Sequence, residues 1–267
     1  MAVSAIILAA GKGTRMRSDL PKVVFPVGGR PMVCAVVDAC LASGVQRIVV
    51  IVGHKQELVR DALKDYDVEY VTQDQQLGTG HAVMCAAQPF EPAKADQASP
   101  VLVLCGDGPL IREATIRQML ARHAETRAAA TLATSIIDDP TGYGRIVRDG
   151  SGKFVAIVEH KNATDAQRQI REVNPSYYCF EVGSLFGALR RVTRNALTGE
   201  YYITDVPELL LAEGKRVEVI DAVPPEDVLS INTPEDLARV DAIYRGRTHN
   251  RGGPTKGDGA GTTGAHS

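Results

Sequence analysis

The stretch from Ala5 to Lys22 constrains this chain more than any other. An apolar run, Ala5 to Ala10 with Ile6, Ile7 and Leu8 together, breaks into Gly11-Lys12-Gly13-Thr14-Arg15-Met16 and is closed by Leu20-Pro21-Lys22. A run this short and this continuously apolar suits a strand buried on both faces of a parallel sheet, so the loop leaves a strand's carboxyl end. Gly11 and Gly13 permit positive φ and close backbone approach, which lets successive N–H groups face an anion, and Lys12, Arg15 and Lys22 add three cations. The loop therefore predicts a phosphate cradle. Two better-known cradles fail on spacing: no stretch supplies Gly-x4-Gly-Lys-Ser/Thr, and a dinucleotide fingerprint needs a third glycine where Met16 stands.

Downstream, apolar runs alternate with helical patterns. Met32 to Leu41 reads as a helix stopped by Gly44, Arg47 to Val52 as a buried strand, Gln56 to Leu63 as a helix and Val68 to Val71 as a strand. A second glycine loop, Gln73 to Gly80, leads into a helix from about His81 to Ala87, and Val101 to Cys105 is a strand ending in Gly106-Asp107. Such alternation implies right-handed crossovers, hence an α/β, doubly wound, mostly parallel sheet whose ligand crevice lies beyond the strands' carboxyl ends. The first loop, Gln73 to Thr79 and Asp107 would meet there. From about Asp138 the pattern shifts to short β segments at 142–147, 154–159 and 173–180, a small lobe able to cover a second substrate. Helices are expected again at 185–192 and 205–212, a strand at 216–220, and a last helix from Pro234 to about Tyr244. From Gly246 on the chain holds no branched aliphatic and no aromatic residue. The expected division is a folded domain over 1–245 and a disordered tail over 246–267.

With 267 residues, 44% of them hydrophobic, and a formal charge of -2, the chain can bury a substantial core and offers no basic balance for nucleic acid. Cys34, Cys40, Cys85, Cys105 and Cys179 are odd in number and form no Cys-x-x-Cys pair, so they read as reduced core residues of a cytoplasmic protein. No run approaches the roughly 18 apolar residues that span a bilayer. Neither a membrane nor a nucleic-acid partner is expected.

Leu8-Ala9-Ala10-Gly11-Lys12-Gly13-Thr14-Arg15-Met16 with Leu20-Pro21-Lys22 resembles the opening of the sugar-phosphate nucleotidyltransferases, most closely the uridyltransferase half of bacterial N-acetylglucosamine-1-phosphate uridyltransferase. The resemblance runs over roughly residues 5 to 245. It implies a Rossmann-like nucleotidyltransferase fold whose β-rich lobe binds sugar, and a cytoplasmic, Mg²⁺-dependent transfer of UMP from UTP to N-acetylglucosamine 1-phosphate for cell-wall peptidoglycan. Arg15 and Lys22 match the family's catalytic pair. Leu8, Ala9, Ala10, Gly11, Lys22, Gln73, Gly78 and Thr79 match its nucleotide contacts, with Gln73 facing uracil. Gly144, Glu159 and Asn174 match its sugar contacts, and Asp107 and Asn232 its metal ligands. Two departures stand out: Asn174-Pro175-Ser176 where the family follows the Asn with a small residue and Gly, and Gly108 where Val is common. The full-length family protein continues into a trimerising β-helix with acetyltransferase activity that this chain lacks, so a monomer without that activity is expected.

The residues themselves suit this chemistry. A sugar phosphate oxygen attacks the α-phosphorus in line while pyrophosphate leaves, with no enzyme nucleophile, so the protein must position and neutralise. Arg15 and Lys22 supply charge, Asp107 a hard oxygen ligand for Mg²⁺, and Gln73 an adjacent donor and acceptor for a pyrimidine edge. His81 reads as a helix-start or packing residue. Three readings stay open: uridylyltransfer to N-acetylglucosamine 1-phosphate, uridylyl- or thymidylyltransfer to another sugar 1-phosphate, and a non-catalytic sugar-nucleotide-binding regulator.

Overall fold

The computed structural model describes residues 2–13, 16, 18–229, 231 and 233–251, with the backbone alone for 248–251. Strand β1 (Ser4–Leu8) is the centre of the molecule. It pairs in parallel on one side with β4 (Arg47–Val52) and on the other with β6 (Pro100–Cys105), Ile6 facing Val49 and Val103. Between β1 and β4 lie a two-stranded ribbon, β2 (Pro26–Val27) and β3 (Arg30–Pro31), and helix α1 (Met32–Ala42); Gly44, at φ +85°, ends that helix as a left-handed stop. Helix α2 (Gln56–Ala62) leads to β5 (Glu69–Thr72), and α3 (Thr79–Cys85) leads to β6.

Because successive residues of a strand point to opposite faces, Ile6 and Ile7 feed two separate cores. Ile7, Val50, Leu102 and Leu104 pack under α1 and α4 (Glu113–Thr126), while Ile6, Val49, Ile51 and Val103 pack on the other face. The chain crosses from one side of β1 to the other between β5 and β6. Above the carboxyl ends of β1 and β6 this leaves the crevice expected of a doubly wound sheet.

The second half departs from the expected layout. Helix α4 and strand β7 (Ala130–Ile136) are elements the sequence pattern did not signal. The strand, Ala-Thr-Leu-Ala-Thr-Ser-Ile, is poor in large apolar residues, yet all but its last residue are buried because neighbours cover it on both sides. Strand β10 (Glu172–Glu181), expected in the covering lobe, instead inserts antiparallel between β6 and β7. The lobe itself is the hairpin of β8 (Gly144–Arg148) and β9 (Phe154–Val158), attached to β10 through Val173 and Asn174. A short helix α5 (Asp165–Arg168), capped by a Thr164–Gln167 capping box, returns the chain to β10. After it come α6 (Val182–Leu189), α7 (Val206–Ala212) and β11 (Val217–Asp221), which pairs in parallel with β7. The sheet order is β11-β7-β10-β6-β1-β4-β5.

The last helix, α8 (Pro234–Arg251), runs past both its expected end near Tyr244 and the expected tail boundary at 245. Tertiary contacts account for the extension: Asp241 accepts the Gly28 N–H at 2.7 Å, and Arg247 donates to the Leu110 carbonyl and pairs with the buried Asp227. Gly28, at φ +63°, also lets the ring of Tyr244 lie where a Cβ would stand, 2.6 Å away. The rest of the expected tail, 252–267, lies outside the described residues. Among the described residues no helix is long and apolar enough to cross a membrane.

Candidate active site

Three loops converge over the carboxyl ends of β1, β4 and β6 because small residues let their backbones touch. Gly106 donates its N–H to the Leu8 carbonyl at 2.9 Å, and a Cβ on Gly106 would fall 2.9 Å from that oxygen. A Cβ on Gly53 would meet that of Ala10 at 3.0 Å, and Gln76 donates its side-chain amide to the Ala10 carbonyl at 2.6 Å. Ala9 and Ala10 are buried beneath the loop. Gly13 has φ +62°, and a Cβ there would lie 2.8 Å from that of Lys22, so glycine lets the loop fold back onto Lys22. Gly11, expected to share the positive φ, does not; a Cβ on it would meet nothing within 4 Å. It faces open space, where close approach of a ligand is possible. Arg15 and Asn232 lie outside the described residues.

Lys22 and Asp107 meet although they are far apart in sequence. Pro21 breaks the chain before a single 3₁₀ turn at Lys22–Val24, Asp107 follows β6, and Lys22 Nζ lies 2.6 Å from Asp107 Oδ2 with both side chains largely shielded. This is a charge-assisted hydrogen bond at the mouth of the crevice. Gln73, next along the rim, is buried; its Nε2 donates to the Gly78 carbonyl at 3.2 Å and contacts His81 Nδ1 at 3.0 Å. His81 thus orients the glutamine, in keeping with a packing role. Gly78 has φ +100°, and a Cβ there would sit 2.5 Å from the Tyr201 carbonyl, so only glycine fits. The Thr79 hydroxyl accepts the Ile203 N–H at 3.2 Å, tying α3 to the segment before α7.

A cavity of about 910 Å³ opens from this rim toward the lobe. Of the expected site residues, Lys22, Thr79, Asp107, Gly144, Glu159 and Asn174 line it. Gln73 and Gly78 do not line it; Gly78, which holds the Gln73 amide, directly precedes the lining residue Thr79. Gly144, at the start of β8, is closely packed: a Cβ there would lie 3.0 Å from the Ile157 side chain. Glu159, just past β9, accepts the Thr204 hydroxyl at 3.1 Å, and burial raises its carboxyl above the ordinary range. Asn174 is buried, its Nδ2 donating to the Tyr178 hydroxyl at 2.6 Å and its Oδ1 accepting the Ser176 N–H at 3.2 Å.

Thr204, Cys105, Ser176 and Tyr143 were not foreseen in the site; Tyr143 lines the cavity and donates its hydroxyl to the Val228 carbonyl at 3.0 Å. Local pattern carried no signal for Thr204 or Val228, which come from distant segments. Burial pushes the Cys105 thiol up to about 12 and also raises the hydroxyls of Tyr177 and Tyr178, so none of them is an anion at neutral pH. Among the described residues no group of three or more His, Cys, Asp or Glu could hold a metal by itself. Asp107 stands as a hard carboxylate beside the glycine loop.

A doubly wound sheet with a glycine loop, a lysine–aspartate pair at its switch point and a covering lobe defines a nucleotide-binding α/β protein with room for a second substrate. The model of the MobA-like NTP transferase domain matches residues 5–195, and the chain belongs to that family. It is 44% identical over 256 residues to the bifunctional protein GlmU of Brevibacillus brevis, covering 95% of this chain and 54% of that protein. With GlmU of Geobacillus thermodenitrificans the identity is 46% over 243 residues, 91% of this chain and 52% of that one. The chain therefore spans about half the length of these curated relatives, and the half it resembles is the uridyltransferase domain. In fold it is similar to apo-UDP-glucose pyrophosphorylase, with TM-score 0.76 and 17% identity over 93% of this chain and all of that one.

Proposed function

We propose that this protein transfers UMP from UTP to N-acetylglucosamine 1-phosphate, releasing pyrophosphate and UDP-N-acetylglucosamine. The observation that carries the reading is the Lys22–Asp107 pair, which stands between a glycine loop suited to a triphosphate and a polar pocket holding Gly144 and Glu159. A phosphate oxygen of the sugar phosphate attacks the α-phosphorus, and the bond from that phosphorus to the pyrophosphate oxygen breaks. No proton need be taken from the nucleophile, and the Cys105 thiol and the Tyr177 phenol, both raised by burial, are not ionised to compete with it. The Lys22 ammonium, held by Asp107, offsets the charge that grows on the α-phosphoryl oxygens, with Arg15 assigned the same task by resemblance. Gln73, fixed by His81 and Gly78, presents its amide to the pyrimidine, and Glu159 accepts hydroxyls of the sugar.

Asp107 also suits Mg²⁺, which takes one or two carboxylates and completes its shell with phosphate oxygens and water. Asp107 would hold the ion, with Asn232 assigned as partner by resemblance. When bound, Mg²⁺ neutralises triphosphate charge. We place the protein in the cytoplasm. Mass spectrometry of product formed from UTP, Mg²⁺ and N-acetylglucosamine 1-phosphate tests the reading: UDP-N-acetylglucosamine with one pyrophosphate per sugar is expected. Absence of any nucleotide sugar from this and related sugar phosphates would leave a binding protein instead.

A further inference from the structure

Strand β10 breaks its register with β7 at the cavity wall. Val173 faces Ser135 and Tyr177 faces Ala133, so four steps along β10 span two along β7, and the excess is taken up by Asn174, Pro175 and Ser176. A bulge of this kind re-aims side chains, and such bulges gather next to active sites. Ser176 sits in it at φ +66°. Among the described residues the other two non-glycine positions with positive φ, Lys55 and Arg127, flank helices α2 and α4, where a left-handed residue closes a turn. Ser176 alone of the three lies within a strand and lines the cavity. A left-handed conformation at a residue with a side chain persists only where its surroundings hold it, and it concentrates at ligand sites.

What holds it is Asn174. Its Oδ1 takes the Ser176 N–H and its Nδ2 reaches the Tyr178 hydroxyl, so both polar ends of the amide are engaged within the protein. Pro175 offers no N–H. The Ser176 side chain is directed past the bulge, against the Cys105 thiol and the Tyr178 hydroxyl, and remains half-buried rather than sealed. The Tyr178 hydroxyl accepts the Asn174 amide and so has its own O–H to give to the Ser176 oxygen, while the Cys105 thiol is a weak acceptor, so the serine keeps its O–H and one lone pair for a ligand.

We propose that Ser176 is a further sugar-contact residue that sets specificity, aimed by Asn174, whose second amide N–H and second carbonyl lone pair stay open to the same cavity. This inference rests on the uridylyltransferase reading, which supplies the sugar phosphate as occupant of this end of the cavity. The ring substituent that meets Ser176 is a polar one, a hydroxyl or an amide carbonyl.

The test compares Ser176→Gly, Ser176→Ala and Asn174→Ala, measuring melting temperature together with KM for UTP and for N-acetylglucosamine and glucose 1-phosphates. Ser176→Gly frees the left-handed backbone, so its melting temperature should stay level or rise by a few degrees. Its KM for the preferred sugar phosphate should nevertheless rise about tenfold, as loss of one hydrogen bond predicts, with KM for UTP within about twofold. Ser176→Ala should raise the same KM alone, and Asn174→Ala should lower melting temperature and raise that KM together. A purely structural serine would give Ser176→Gly a stabler protein with unchanged sugar KM; that result, or equal rises in both KM values, overturns the assignment. If the wild type neither turns over nor binds any hexose 1-phosphate by calorimetry, the uridylyltransferase reading fails, and the assignment of Ser176 with it.

Discussion

The two walls of the cavity are built by different means. The wall proposed for the nucleotide consists of loops that follow parallel strands β1, β4, β5 and β6 directly, held close by Ala10, Gly53, Gly78 and Gly106. The facing wall is drawn from segments spread over Gly144 to Thr204, aimed by a bulge in an antiparallel strand and by single side-chain hydrogen bonds such as Thr204 to Glu159. On the proposed function, backbone packing suits the first to the generic task of binding a triphosphate, and side chains suit the second to telling one sugar from another.

Charge on the nucleotide wall should dominate. Lys22→Ala, which leaves Asp107 without its ammonium, should lower kcat on the order of 10²-fold or more while the far-ultraviolet circular dichroism stays native. Asp107→Asn should do at least as much and respond only to raised Mg²⁺. Either variant with near wild-type turnover would mean that this pair only holds the loops together.

Backbone fit comes next. In Gly78→Ala the new Cβ meets the Tyr201 carbonyl and the backbone is left-handed, so a loss of about 2–4 kcal/mol is expected, a fall in melting temperature of roughly 5–15 °C. Gly11→Ala has free space and ordinary φ, so its melting temperature should be unchanged while KM for UTP rises. Equal stability of the two variants would erase the contrast between a glycine kept for packing and one kept for ligand access.

A pH effect separates the walls in another way. Asp205, next to Thr204, is raised to about 6 by burial, with Glu208 adding repulsion. Its folded value lies above its unfolded value, so the ionised carboxylate destabilises the fold above pH 6, and that cost vanishes as pH falls toward 4. Asp205→Asn should therefore gain on the order of 2 kcal/mol at pH 7.5, with the gain shrinking between pH 6 and 4 in thermal melts. A constant difference across that range would assign the effect to packing. Smallest should be Thr204→Val, which removes the hydroxyl that Glu159 accepts and should raise KM for the sugar phosphate about three- to tenfold with UTP unaffected.

The same contrast explains what could be read in advance. Gly11 to Lys22, Gln73 to Thr79 and Gly106-Asp107 were legible because each is a local signal at the end of an apolar strand, and a parallel sheet brings such ends together. Strand β7 was not, since Ala, Thr and Ser dominate it and only its neighbours bury it. The place of β10 was not, because an antiparallel insertion leaves no mark on an apolar run. Asn174 was found by resemblance, but its engagement by Ser176 and Tyr178 depends on the bulge. The last six residues of α8, Gly246 to Arg251, look like a tail by composition and are helical because Asp241 and Arg247 anchor the helix.

The most direct test of two walls with separate tasks is steady-state pyrophosphate release by the wild type, with UTP and CTP each paired with N-acetylglucosamine 1-phosphate and glucose 1-phosphate. Independent walls predict that changing the base alters kcat/KM by the same factor with either sugar, and that N-acetylglucosamine 1-phosphate exceeds glucose 1-phosphate by about ten- to a hundredfold with either nucleotide. Equal kcat/KM for the two sugars, or a sugar preference that reverses with the nucleotide, would contradict it.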